Sequence, residues 1–207
     1  MHAALIKGMN GVAVPLSDTD TQASVPEMAT ELQDGEFLVD ICKNSDGLGL
    51  EIESINGMLL VAKLKQGPMT AWNATNVGDP DLVVRAGDRI ISVNGTRGDS
   101  TVLIDELKRD SRLRLLMRHA REFRVDIDKA GRDLGICVIS GNVKLDMLKI
   151  SGLRSGVVED WGLANPGSEV LVGDRIIEVN GISNDPPNML EELRASSKLA
   201  MVVIRPA

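Results

Sequence analysis

The sequence predicts an α+β, mostly β, protein made of two similar domains in tandem, each with five to six strands and two helices. Three observations carry this. First, Gly87-Asp88-Arg89-Ile90-Ile91-Ser92-Val93-Asn94-Gly95 returns 86 residues later as Gly173-Asp174-Arg175-Ile176-Ile177-Glu178-Val179-Asn180-Gly181, with one position changed. Second, short apolar runs alternate with turn dipeptides. Third, one amphipathic helical stretch follows each copy of the repeat. The same offset aligns Glu36–Ile41 with Glu122–Ile127, Leu48-Gly49-Leu50 with Leu134-Gly135-Ile136, and Glu106-Leu107-Lys108 with Glu192-Leu193-Arg194. One folding unit has been duplicated, with almost no gaps.

Each element follows from local chemistry. Residues 1–35 lack sustained periodicity and are rich in Ser, Thr, Asp, Glu and Gln, so they read as a flexible acidic tail, with a helical turn or two over Val25–Leu32. Phe37, Val39 and Ile41 alternate with polar residues, as on one face of a strand. Gly47 and Gly49 bracket Leu48, leaving a bare backbone that can bend sharply. Strands follow at Glu51–Glu53 and Met58–Leu64, a short helix at Met69–Thr75 and a loop over Asn76–Arg85. The repeated nonapeptide is a core strand ending in Asn94-Gly95, a strong tight-turn dipeptide. Asp99 caps a helix over Ser100–Arg109, and Arg112–Arg118 closes the first domain.

Only His119-Ala120-Arg121 separates the two units, which restricts their mutual orientation. The second unit repeats the plan: strands at Phe123–Ile127, from Ile136, over Val143–Ser151 and at Asp174–Val179, and a short helix at Val157–Leu163. A long helix opens with Asp185-Pro186-Pro187, and Leu199–Arg205 closes the domain. The predicted domains are residues 36–118 and 122–207.

Composition narrows the function. Net charge is −7, but residues 1–35 hold −4 of it and the two domains are nearly balanced, so nothing favours a nucleic acid backbone. Aromatic residues make up 2% of the chain, too few for base-stacking platforms. Cys42 and Cys137 are not repeat equivalents and have no zinc or redox spacing, so free thiols in an intracellular, cytoplasmic setting are expected. There is no transmembrane run. The only histidines are His2 and His119, neither placed beside a nucleophile, and Glu51, Glu53, Glu191 and Glu192 read as solvated faces. No enzyme, metal or cofactor is expected.

The Φ-Gly-Φ turns, the Gly-Asp-x-Ile-x-x-Val-Asn-Gly strands and the helices ending Leu-Lys or Leu-Arg together resemble the PDZ domain family, in the element order common among eukaryotic members. The resemblance spans most of the chain and implies two partly open β-barrels in tandem. It implies binding of partner C-terminal peptides or internal strand-like segments by strand addition, with the terminal carboxylate held by backbone N–H groups of the glycine turn. Carried over by position, the first groove comprises Lys43, Leu48, Gly49, Leu50, Ile52, Ser100, Ile104 and Leu107, and the second comprises Lys129, Leu134, Gly135, Ile136, Val138, Pro186, Leu190 and Leu193.

Two departures stand out. The first helix position, often His in family members that select Ser or Thr, holds Ser100 and Pro186, which weakens that preference. Asp133 replaces Gly47 beside the second carboxylate loop and repels an anionic ligand, so the first unit is expected to bind better.

The expected function is a non-enzymatic adaptor or scaffold. The alternative is a structural subunit whose PDZ-like units pack on neighbours. A cluster of Lys108, Arg109, Arg112, Arg114, Arg118, Arg121 and Arg124 also suggests weak anionic-lipid contact, with a solvated strand face as the plainer reading.

Overall fold

In a computed structural model, residues 32–140 and 146–206 are described. The expected tail over residues 1–31, most of the Val25–Leu32 helix and the start of the Val143–Ser151 strand lie outside them. The first half forms β1 (Glu36–Cys42), β2 (Leu50–Ile55), β3 (Met58–Leu64), α1 (Pro68–Thr75), β4 (Arg89–Val93), β5 (Thr96–Arg97), α2 (Ser100–Arg109) and β6 (Arg112–Arg118). The second forms β7 (Arg121–Asp128), β8 (Ile136–Ser140), β9 (Leu148–Leu153), α3 (Val157–Ala164), β10 (Arg175–Val179), β11 (Ile182–Ser183), α4 (Pro186–Ala195) and β12 (Lys198–Arg205). Two antiparallel six-stranded sheets result, ordered β1-β6-β4-β3-β2 and β7-β12-β10-β9-β8, with β5 on β4 and β11 on β10. The same α+β arrangement is built twice. Both β2 and β8 end their sheets.

Each half has its own aliphatic core. Phe37, Val39 and Ile41 are buried as their alternation predicts, against Leu59, Val61, Ile90, Leu103 and Leu115. Val125, Ile127, Leu148, Ile150, Ile176 and Met201 do the same in the second half. The β4–β6 ladder slips between Ile90 and Ser92, and the β10–β12 ladder slips at the same repeat position, between Ile176 and Glu178. These bulges place one extra isoleucine in each strand.

Both residues of each Asn-Gly turn have positive φ, at 51° and 81° for Asn94 and Gly95, as the tight hairpin turn requires. Asn94 Oδ1 then accepts from Arg114 N at 2.8 Å, tying the turn to the closing strand. Asp99 caps α2 by accepting from Thr101 N and Val102 N, and Asp185 caps α4 through Asn188 N.

Three sequence expectations need correcting. Residues 33–35 are not part of a free tail: Arg118 Nη2 donates to Gln33 Oε1 at 2.6 Å, and Glu36 N donates to Gln33 O. The third strand of the second half begins, among the described residues, at Leu148 rather than Val143. Just before it, Asp146 turns away to pair with Lys63 at 2.7 Å. The Asn76–Arg85 loop contains a 3-10 turn at Pro80–Leu82, where Asp79 Oδ1 accepts from Asp81 N.

The two halves are joined by more than the link. Leu60, Ala62, Ile91 and Leu116 face away from the first core and are buried, as are Met147 and Ile204 outside the second core. A cavity of about 360 Å³ is lined from both sides, by Ala62, Lys63 and Leu64 and by Met147, Ile177 and Asn184. Gly87 leaves room for Ile204 Cδ1, which would collide with any Cβ there. Arg175, 1% exposed, donates from Nη2 to Glu53 Oε2 at 2.5 Å, and its Nη1 points at Met147 Sδ. Glu53 is therefore not on a freely solvated face, because burial of Arg175 demands a charge partner. Glu51 likewise pairs with Lys65.

The link itself carries a titratable contact. His119 stacks on Phe37 with centroids 4.3 Å apart, sets Nδ1 3.2 Å from both Asp88 oxygens and sets Nε2 3.1 Å from Asp81 O. The hydrogen bond to Asp88 pulls its pKa above the ordinary value, against the opposing effect of burial and of nearby Arg85. At the repeat-equivalent place Arg205 holds Asp174 through two 2.8 Å bonds, so the second half has a permanent cation where the first has a titratable one.

With the folded pKa raised, the His119 contribution is complete below about pH 6.5, the unfolded value, and is lost as pH rises through the folded value. Denaturant titrations across that window should show stability falling with rising pH in the native chain. The fall should be absent in His119→Gln; an identical pH slope in both would refute the assignment.

Candidate groove of each half

The two glycine turns are held by their carbonyls. In the first, Leu48 O accepts from Met69 N at 2.9 Å and Gly49 O from Lys65 N at 2.8 Å. In the second, Asp133 O, Leu134 O and Gly135 O accept from Val157 N, Val158 N and Arg154 N. Tying down the carbonyls turns successive N–H groups the other way, which is how an anion-binding nest is built. Gly49 and Gly135 have φ of +75° and +80°, and each approaches the glycine ahead of the next helix, Gly67 or Gly156, too closely for a Cβ.

The turns differ in what their N–H groups meet. The Leu48 and Gly49 N–H groups have no acceptor among the described residues. Gly135 N donates to Asp133 Oδ1 at 2.7 Å, so a carboxylate of the chain itself already occupies that donor. An Asp two residues before a loop glycine is a known local hydrogen-bonding pattern and was readable as such.

Leu48, Leu50, Ile104 and Leu107 are half-buried against the first core, and Ile52 stays 37% exposed on β2. Leu134, Ile136, Val138 and Leu190 pack partly buried on the second core, while Leu193 belongs to that core. A cavity of about 520 Å³ opens among Asp133, Leu134, Ile136, Val138 and Leu190.

The polar positions are engaged within the fold. Lys43 Nζ donates to Leu107 O at 2.7 Å and Lys108 O at 3.2 Å, and Lys129 Nζ to Leu193 O and Arg194 O, both at 3.1 Å. Both lysines thus cap the C-terminal ends of the long helices, where the helix dipole favours a cation. Ser100 is buried, and its Oγ lies 2.5 Å from Ser54 Oγ, so a direct bond runs from β2 to the start of α2. Pro186 begins α4 half-buried.

The basic cluster is partly neutralised. Lys108, Arg109, Arg118 and Arg124 pair with Asp105, Glu106, Glu36 and Asp126, and Arg114 approaches Asp40 at 4.0 Å. Arg121 lies over the Phe123 ring at 5.8 Å and reaches Ser168.

No protein-family model matches the chain, and no curated protein matches it. Among solved structures it is similar to INAD PDZ45 in complex with NG2 peptide, at 20% identity and a TM-score of 0.34, covering 83% of this chain and 89% of that one. It is also similar to INAD PDZ45 in complex with NORPA CC-PBM, at 16% identity and a TM-score of 0.35, covering 83% and 91%. Among the described residues, no helix is long and apolar enough to cross a membrane.

Proposed function

We propose that the chain is a non-enzymatic adaptor of two PDZ-like domains, residues 36–118 and 122–207, that captures strand-like segments of partner proteins by edge addition. The observation that carries this is the edge position of β2 next to α2, with Leu48 and Gly49 N–H groups at its head that have no acceptor among the described residues. An added strand satisfies the open ladder, the turn holds a terminal carboxylate, and the apolar lining takes the last side chain. The first groove is the one suited to free C-termini.

The Ser54–Ser100 bond across the first groove favours a second reading, a packing subunit whose grooves stay closed. Peptide binding separates the two. A displayed library of free C-termini should enrich apolar-ended sequences on the intact chain, and Ile52→Glu, a change at an exposed site, should weaken those binders at least tenfold. Absence of enrichment would leave the packing-subunit reading. A weak lipid contact at Arg112, Arg114, Arg118 and Arg121 is part of the proposal only if liposomes containing anionic lipid float the protein and neutral ones do not.

A further inference from the structure

The second groove differs from the first at one donor. We infer that Asp133 makes the second groove a site for internal strand-like segments and closes it to free C-termini; this rests on the adaptor reading above. In this turn Asp133 Oδ1 already accepts the Gly135 N–H at 2.7 Å, in the place where an incoming terminal carboxylate would bond. A second carboxylate there competes for one donor and meets a like charge.

The neighbouring cations do little to relieve this. Arg132 pairs with Asp160 at 2.5 Å, and Lys129 is committed to the end of α4. Arg154 and Arg194 also line the cavity; both are exposed and screened by solvent, as Asp133 is, so the occupied Gly135 N–H carries the exclusion more than the charge does.

Everything else a strand needs is present. β8 is an edge strand, and the 520 Å³ cavity has an apolar lining from Leu134, Ile136, Val138 and Leu190. A chain that continues past the turn brings no terminal charge. It can offer Asp133 a backbone N–H, which replaces the repulsion with a charge-assisted hydrogen bond. The partner is therefore an internal extended segment with one apolar anchor followed by an uncharged donor, because Lys129, Arg132, Arg154 and Arg194 line the same cavity and disfavour a basic residue. The repeat supports the contrast: glycine stands at the equivalent position in the first unit, Gly47, and no side chain can reach the Gly49 N–H from there.

The test uses the full chain carrying Ile52→Glu, to disable the first groove, with and without Asp133→Asn or Asp133→Gly. Two displayed libraries are panned, one ending in free C-termini and one presenting the same randomised segment between fixed flanks. The Ile52→Glu chain should enrich internal segments. It should bind free C-termini at least tenfold more tightly once Asp133 is changed. Asn keeps an acceptor without the charge and Gly removes both, so gain in Asn alone or in both variants assigns the exclusion to charge, and gain only in Gly assigns it to occupancy of the donor. The inference is overturned if free C-termini bind the Asp133 chain within twofold of both variants, or if internal segments are not enriched. Failure of the adaptor reading shows separately, as no free C-terminal binding by the native chain in its first groove.

Discussion

Glu53→Ala should be among the most damaging single changes in this chain. Arg175 is 1% exposed, and the Glu53 carboxylate is its charge partner. Removing the partner leaves the buried Arg175 guanidinium uncompensated, and such losses cost about 3 kcal/mol. In a chain of this size that corresponds to a fall in Tm of roughly 6–12 °C. Arg175→Met in the same background should restore most of the loss, because an apolar side chain of similar length needs no partner. Differential scanning calorimetry of the native chain and these two variants settles it. If Glu53→Ala melts within a degree or so of the native chain, the pair is not what holds the halves together. Glu53 lies on β2, so the second half also braces the strand that forms the first groove. A loosened β2 should weaken peptide capture even where the peptide touches neither residue.

The second large effect is expected at the glycine turns. A Cβ on Gly135 would come within 2.6 Å of Arg154 O and 2.9 Å of Gly156 Cα, and its φ is +80°. Backbone strain of about 1–2 kcal/mol and overpacking of about 1–3 kcal/mol combine. Gly135→Ala should therefore lose about 2–5 kcal/mol in denaturant titrations. Gly181→Ala, with φ of +83° and nothing near its Cβ, should lose only the backbone share. Equal losses would show that close approach in the turn does not matter. Gly49 meets Lys65 O at 2.9 Å and Gly67 Cα at 3.0 Å, so replacing it cannot separate lost binding from lost folding. The exposed Ile52 avoids that confusion.

Much of this was legible in the sequence because it is local. Asn94-Gly95, the Asp99 cap and the Phe37, Val39, Ile41 alternation each encode their own geometry within a few residues. The groove positions were inferred from a repeated order of elements, and peptide binding is what tests them. The contact between the halves was not legible. Leu60, Leu116 and Ile204 are buried yet belong to neither core, and Ile204 lies against Gly87 of the other half. Arg175 shows the limit: Arg89 holds the same place in an almost identical nonapeptide and is only half-buried, so no window of sequence could tell them apart. Lys43 and Lys129 hold equivalent places along the chain, but which acceptors their ammonium groups reach depends on where α2 and α4 end.

The edge strands differ in one further respect. β1, β2 and β7 each carry charged residues, whereas β8 reads Ile136-Cys137-Val138-Ile139-Ser140 with no charge and with Ile139 49% exposed. Charges on an edge discourage uncontrolled pairing with other chains, and a short uncharged β-branched edge invites it. The β1, β2 and β7 borders are thus guarded against aggregation and the β8 border is not. The unguarded border is the one a bound segment would cover, so occupancy of the second groove would also protect the chain's colloidal stability.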